Sequence, residues 1–217
     1  LTGQNSISLV LDEYKFEGNK NVSGYERINY IASMDILASV ISDDIEVSGV
    51  SVLVDGKKLS TSTDTNGQII LCSIQLGSVI TFEKEGYTIE SKTIDTLQTR
   101  MVANATYKIS GIVSNCGTPL SDVTINVVGT EISIATDENG YFEINNLIGT
   151  QVLSFEKSGF EFENKTITGA ENLNILSKFN VEGYVKIGGK VALMGVQVNA
   201  GSLSTTTDKY GKFKIEG

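Results

Sequence analysis

Thr136-Asp137-Glu138-Asn139-Gly140-Tyr141-Phe142-Glu143-Ile144 reads as a tight turn that feeds a strand. An Asp that opens a turn accepts hydrogen bonds from backbone N–H groups two residues on. A Gly at the fourth position supplies the φ > 0 geometry of a bulged hairpin. Phe142 and Ile144 then alternate with Tyr141 and Glu143, the period-two pattern of a half-buried strand. The turn occurs three times. It stands earlier as Thr63-Asp64-Thr65-Asn66-Gly67 and later as Thr207-Asp208-Lys209-Tyr210-Gly211.

Working outward, Phe82-Glu83-Lys84-Glu85-Gly86-Tyr87 returns as Phe155-Glu156-Lys157-Ser158-Gly159-Phe160, and Lys92-Thr93-Ile94 as Lys165-Thr166-Ile167. Between Ile36–Ile94 and Ile109–Ile167 the alignment needs no gap and holds 20 identities in 59 positions, which establishes a duplication. A third copy opens where Val181-Glu182-Gly183 matches Ile109-Ser110-Gly111. Tyr14-Lys15-Phe16-Glu17 resembles Phe160-Glu161-Phe162-Glu163, so residues 1–34 read as the back half of a preceding repeat. The expected domains are that back half, a sandwich over 35–106, a second over 107–178, and the front half of a third over 179–217.

Val50, Val52 and Val54 recur at every second residue, as do Val123, Ile125 and Val127, and Ile132 and Ile134 extend the pattern. No stretch of ten residues carries a helical stripe. Strands about every ten residues, with turn signals between them, indicate an all-β sandwich or barrel. About 72 residues suffices for one small sandwich with its own core, whereas solenoid repeats are shorter. Separate sandwiches in tandem are therefore expected.

Composition narrows the chemistry. With no His, neither Ser-His-Asp nor Cys-His catalysis nor a His-based zinc site can be built. A formal charge of −9, from 26 acidic and 17 basic residues, repels nucleic acid and anionic membrane surfaces. The strongest apolar stretches, such as Ile36 to Ile41, are too short to span a bilayer. The chain opens Leu1-Thr2-Gly3-Gln4 with no Met and no signal pattern, so any targeting segment is expected outside it.

Ile109-x-Gly111-x-Val113, then Gly117-Thr118-Pro119-Leu120, Val123-x-Ile125, Thr136-Asp137-x-x-Gly140-Tyr141-Phe142-x-Ile144 and Gly159-Phe160 together resemble the carboxypeptidase regulatory-like domain. That resemblance implies a transthyretin-like (prealbumin-like), Ig-like seven-stranded β-sandwich. The first copy departs early: Ala38 replaces the first glycine, and Asp44-Ile45-Glu46-Val47 replaces Gly-Thr-Pro-Leu. The resemblance further implies a non-catalytic accessory, spacer or adhesive module of secreted and surface proteins. It brings no catalytic, cofactor-binding or metal-binding residue.

Asp64 with Asn66, and Asp137 with Asn139, offer oxygens to calcium, but Lys209 and Tyr210 spoil the third copy, and the turn role suffices. A Lys–Asn cross-link beside an acid would draw on Lys108, Asn174, Glu83 or Glu156, and Asn180 stands at the third-copy position of Lys108. Ion pairs or a solvated face explain these charges equally well. Cys72 and Cys116 lie at different repeat positions and are expected as free, partly buried thiols. Asn21, Asn104 and Asn164 fit the short glycan sequon. Tyr14, Tyr25, Tyr30, Tyr87 and Tyr107 are either a carbohydrate platform or packing. Asp43-Asp44 is an acid pair in one copy only.

The functional expectation is a structural repeat protein at the cell surface or outside the cell. It would serve as a stalk, adhesin shaft or filament subunit whose half-repeats complement one another by strand addition. The alternative is a sandwich that binds carbohydrate or another surface ligand. Expected partners are other copies of itself, flanking repeats of a longer protein, or a surface glycan or protein.

Overall fold

A computed structural model describes residues 5–11, 14–16, 20–22, 27–28 and 30–216. Tyr25 lies outside them. All regular structure among the described residues is β. The chain forms two compact units: Leu1–Lys108 with Asn145–Thr150 and Thr168–Ala170, and Ile109–Ile144 with Gln151–Ile167 and Glu171–Gly217.

The first complete copy is a seven-stranded sandwich. One sheet orders Gln68–Ile74, Ala32–Ser42 and the start of Arg100–Asn115. The other orders Lys92–Thr93, Val79–Glu83, Ser51–Val54 and Lys57–Ser62. The second copy repeats the plan. Tyr141–Leu147 and Glu171–Leu176 flank the end of Arg100–Asn115, facing a sheet of Lys165–Ile167, Gln151–Glu156, Thr124–Val127 and Ser133–Ala135.

Alternation dictates the core. On Ala32–Ser42 the residues Met34, Ile36, Ala38 and Val40 are buried, and their neighbours are not. Val50, Val52, Leu71, Ile80, Phe82 and Ile94 close on them from the other strands. Ile109, Val113, Val123, Ile125, Phe142, Leu153 and Ile167 do the same in the second copy. Each such side chain contributes roughly 1.5–3 kcal/mol on burial. Ile132 and Ile134 depart from expectation. Ile132 is 37% exposed and Ile134 only half-buried. They belong to the hairpin onto Ser133–Ala135, an edge strand, where Thr130 Oγ1 donates to Val127 O at 2.8 Å.

Pairing of the first and last strands decides how one copy follows another. Leu37–Ile41 lies parallel to Arg100–Asn104, and Ile109–Ser114 lies parallel to Glu171–Leu176. A copy is therefore left in the direction in which it was entered. The last strand of the first copy runs on as the first strand of the second, within the single element Arg100–Asn115. Met101, Ala103, Ala105, Tyr107, Ile109, Gly111 and Val113 are all buried, so the period of two is unbroken along it.

Residues before Ala32 show the same register. Lys15 pairs with Ser33 and Phe16 with Ala32. Thr88 with Thr106 and Ile89 with Ala105 are the counterparts one copy later. Tyr14 N–H donates to Leu11 O at 3.1 Å, as Tyr87 N–H does to Lys84 O and Phe160 N–H to Lys157 O.

Candidate functional site

The Thr-Asp-x-x-Gly turn folds alike in all three copies. Oδ1 of Asp64 accepts from the N–H groups of Asn66 and Gln68, both at 2.9 Å. Oδ1 of Asp137 accepts from Asn139 and Tyr141, and that of Asp208 from Tyr210 and Lys212, at 2.8–2.9 Å. The oxygen offered to calcium in the sequence reading is thus a backbone acceptor in each copy. Among the described residues no cluster of three His, Cys, Asp or Glu side chains is placed to hold a metal ion.

Gly67, Gly140 and Gly211 take φ of 68°, 69° and 71°. A Cβ there would lie 2.6, 2.4 and 2.5 Å from the carbonyl oxygens of Val40, Val113 and Val185. The preceding Thr was not singled out from sequence, yet it is buried in every copy. Thr63 Oγ1 donates to Val47 O and accepts from Val50 N–H. Thr136 does so with Leu120 O and Val123 N–H, and Thr207 with Leu193 O and Val196 N–H. The only sequence signal was its recurrence beside the Asp. Lys84 Nζ and Lys157 Nζ add a further tie, donating at 2.6 Å to Ser48 O and Ser121 O.

A cleft recurs in the two complete copies. In the first it measures about 510 Å³, with Gly49, Ser51, Phe82, Glu83, Lys84 and Tyr87 on its walls. In the second it measures about 590 Å³, lined by Asp122, Thr124, Phe155, Glu156, Lys157 and Phe160 at the equivalent positions. Tyr87 is not a free platform. Lys84 Nζ stands 4.9 Å above its ring and the Tyr107 ring is 6.0 Å away. Its Oη accepts from Ala170 N–H at 3.2 Å. Buried Tyr107 donates to Gly149 O at 2.7 Å, and Gly149 N–H donates to buried Ser42 Oγ at 3.2 Å. These hydroxyls hold the segments 145–150 and 168–170 within the first unit. Met34 stands at the first-copy position of Tyr107, and Phe160 at the second-copy position of Tyr87, so the two hydroxyls were the available signal.

The remaining candidates scatter. Glu83 makes an exposed ion pair with Lys58 at 3.6 Å. Lys108, Glu156 and Asn174 are exposed, and Lys108 N–H donates to Gly86 O. Asn180 Nδ2 donates to Glu161 Oε1 at 2.7 Å. Cys72 and Cys116 are free and exposed, not partly buried. Cys116 and its counterpart Asp43 sit in a turn at φ 46° and 56°, which points both side chains away from the core. Asp44 is exposed beside Asp43. Asn21 and Asn164 are exposed, whereas Asn104 Nδ2 donates to Glu90 Oε1 at 2.8 Å. Tyr14 lines a separate cavity of about 220 Å³ with Met34, Leu97, Gln98 and Thr99, and Tyr30 is half-buried.

Among the described residues, the carboxyls that are perturbed lie at the surface. Lys15 Nζ beside Asp35, helped by Ser73 N–H, holds the Asp35 carboxyl below its usual range. Lys92 and Asn104 do the same for Glu90.

The buried Thr, the Asp turn and the close-packed Gly of the second copy fall inside a segment, residues 109–186, that matches a known family. Residues 109–186 match the CarboxypepD_reg-like domain. No curated protein matches the chain. Among solved structures, the type II cohesin–X-dockerin complex of Acetivibrio cellulolyticus is 25% identical with a TM-score of 0.28, over 39% of this chain and 63% of that one. The chain thus spans less than two thirds of that protein's length. GBS52, the minor pilin of Streptococcus agalactiae, is 12% identical with a TM-score of 0.28, over 67% of this chain and 95% of that one. The shaft pilin SpaA of Lactobacillus rhamnosus GG is 12% identical with a TM-score of 0.27, over 66% and 96%. In the segment that matches the CarboxypepD_reg-like domain, the residues common to all copies are ones that bond its own backbone.

Proposed function

We propose that the chain is a non-catalytic structural repeat protein acting at the cell surface or outside the cell, as a stalk, adhesin shaft or filament subunit. The carrying observation is the use made of its recurrent polar side chains. Thr63, Asp64, Thr136, Asp137, Thr207 and Asp208 each bond the backbone of their own copy. Residues that persist through duplication are spent on reproducing a sandwich. The domains follow the repeats: a back half at 1–34, sandwiches at 35–106 and 107–178, and a front half at 179–217.

The front half also supports assembly by strand complementation. Val181 is 42% exposed, whereas its counterpart Ile109 is fully buried. Among the described residues Gln197–Ala200 pairs only with Leu203–Thr206, whereas its counterpart Thr124–Val127 is paired on both sides. Later strands of the same repeat type, from a longer chain or from another copy, would cover that face.

Ligand binding is favoured by one observation, the recurrent cleft. A glycan-array screen separates the two readings. The structural reading expects no reproducible binding; binding that is lost on Phe160→Ala would overturn it. Electron microscopy at high concentration tests complementation, which predicts filaments and is refuted by monodisperse particles.

A further inference from the structure

The same edge strand occurs three times with three different outward faces. Gln68–Ile74 and Tyr141–Leu147 share the burial pattern of a strand with Ile69, Leu71 and Ile74, or Phe142, Ile144 and Leu147, turned inward. Lys212–Glu216 is the third version, with Ile215 inward. The core therefore makes the same demand on each. Outward, the second copy carries Tyr141, Glu143 and Asn145, and the third carries Lys212, Lys214 and Glu216. The first carries Gln68, Ile70 and Cys72 with no charge, and Ile70 is 64% exposed.

Charged side chains on an edge strand are the usual device against pairing with another chain. Other edges in the first unit have it. Lys57–Ser62 opens with two lysines, Lys92–Thr93 with one, and the last strand begins at Arg100. Gln68–Ile74 lacks it and has no Pro, keeps regular pairing from Gln68 to Leu71 before a bulge at Cys72 and Ser73, and among the described residues pairs on one side only, with Ala32–Ser42. The apolar character extends onto the sheet beside it. Leu37 is the register partner of Ile70, and Val102 on the next strand is 47% exposed.

We propose that Gln68–Ile74 is an interaction edge, and that its partner is the same strand of a second copy of this chain, added antiparallel about a two-fold axis. Charge selects this occupant. A two-fold axis at the middle outward residue of the strand sets that residue against itself and each flanking one against the other. That places Glu143 near Glu143 at the second-copy edge, a like-charge contact that destabilises a strand pair. At the first-copy edge it sets Ile70 against Ile70 and Gln68 against Cys72, while Lys15, which lies near Cys72, is paired with Asp35. Backbone hydrogen bonds supply the attraction, and the alternation keeps Ile70 and Cys72 on one face in every allowed register.

The test uses the full chain carrying Cys116→Ser, so that Cys72 is the single thiol. Sedimentation equilibrium is expected to show a reversible dimer, and a bis-maleimide that spans roughly 14 Å to trap a covalent dimer through Cys72, since a pair centred on Ile70 sets the two thiols four residues apart. Ile70→Glu, which installs the second copy's residue at an exposed site, is expected to weaken the dimer roughly tenfold or more by setting two carboxylates across the pair. Ile70→Val is expected to retain it. Thermal unfolding checks that both variants fold. A chain that stays monomeric and forms no Cys72 cross-link overturns the proposal, as does a dimer indifferent to Ile70→Glu. The proposal does not depend on the half-repeats, so filaments and edge dimers succeed or fail separately.

Discussion

The two complete copies solve one packing problem in two ways. In the second, Gly111 lies against the Phe142 ring, and a Cβ on it would come within 2.9 Å of that ring and 2.5 Å of Leu173 O. Gly183 faces Phe213 in the third copy, where the same Cβ would lie 2.9 Å from the ring. In the first copy the pair is Ala38 and Ile69, both buried. The volume that glycine leaves is filled by the larger ring, and alanine returns when isoleucine takes the ring's place. Departure of the first copy from the family pattern at Ala38 is therefore a compensated exchange, since cores tolerate swaps that conserve volume.

What the copies do not vary is the close approach behind the Asp turn, and it should give the largest effect. Gly140→Ala combines a positive φ with a contact of 2.4 Å to a backbone oxygen, and Gly67→Ala has the same geometry at 2.6 Å. Each is expected to cost about 3 kcal/mol or more, measured as a lowered denaturation midpoint in urea. Unequal losses would break the equivalence of the copies. Next comes the exchanged pair. Gly111→Ala is expected to cost about 2 kcal/mol, and Gly111→Ala with Phe142→Ile to recover part of it. No recovery would show that the backbone contact at Leu173, and not the ring, sets the limit.

The smallest effect is electrostatic. Asp35 stands opposite a bulge, where Cys72 and Ser73 face it alone between the pairings of Met34 with Ile74 and Ile36 with Leu71, and Lys108 replaces it in the second copy. Its carboxyl is held down by Lys15 and by Ser73 N–H. A group with a depressed folded pKa contributes stability above its unfolded pKa, about 3.9 for Asp, and that contribution fades as pH falls through the lower folded value. Asp35→Asn is therefore expected to flatten the acid limb of unfolding for the first unit, slightly and less so in high salt, because both side chains are more than a third exposed. An unchanged acid limb would leave the Asp35 carboxylate without a role in stability.

Much of this was legible in the sequence because it is local. The Asp turn and its glycine span four residues, and the core alternates every two, so spacing alone exposes both. The Thr was opaque because its hydroxyl bonds groups 13 and 16 residues away, as Thr136 does with Val123 and Leu120. The parallel pairing of first and last strands was hidden for the same reason, since Leu37 and Arg100 meet only after the whole copy has folded. Ile132 and Ile134 misled because a hairpin at a sheet edge keeps the alternation without an opposing layer. Tyr107 and Tyr87 follow the strand pattern, and nothing local says that their hydroxyls reach Gly149 and Ala170.

The uninterrupted strand from Arg100 to Asn115 also bears on heredity. A copying event that joins one repeat to the next must preserve strand parity at the seam, or every side chain beyond it changes face. One codon gained or lost between Tyr107 and Lys108 would turn Ile109, Gly111 and Val113 outward. The two full repeats align from Ile36 and Ile109 without a gap. Such a seam lets a gene lengthen by whole copies and penalises any other increment.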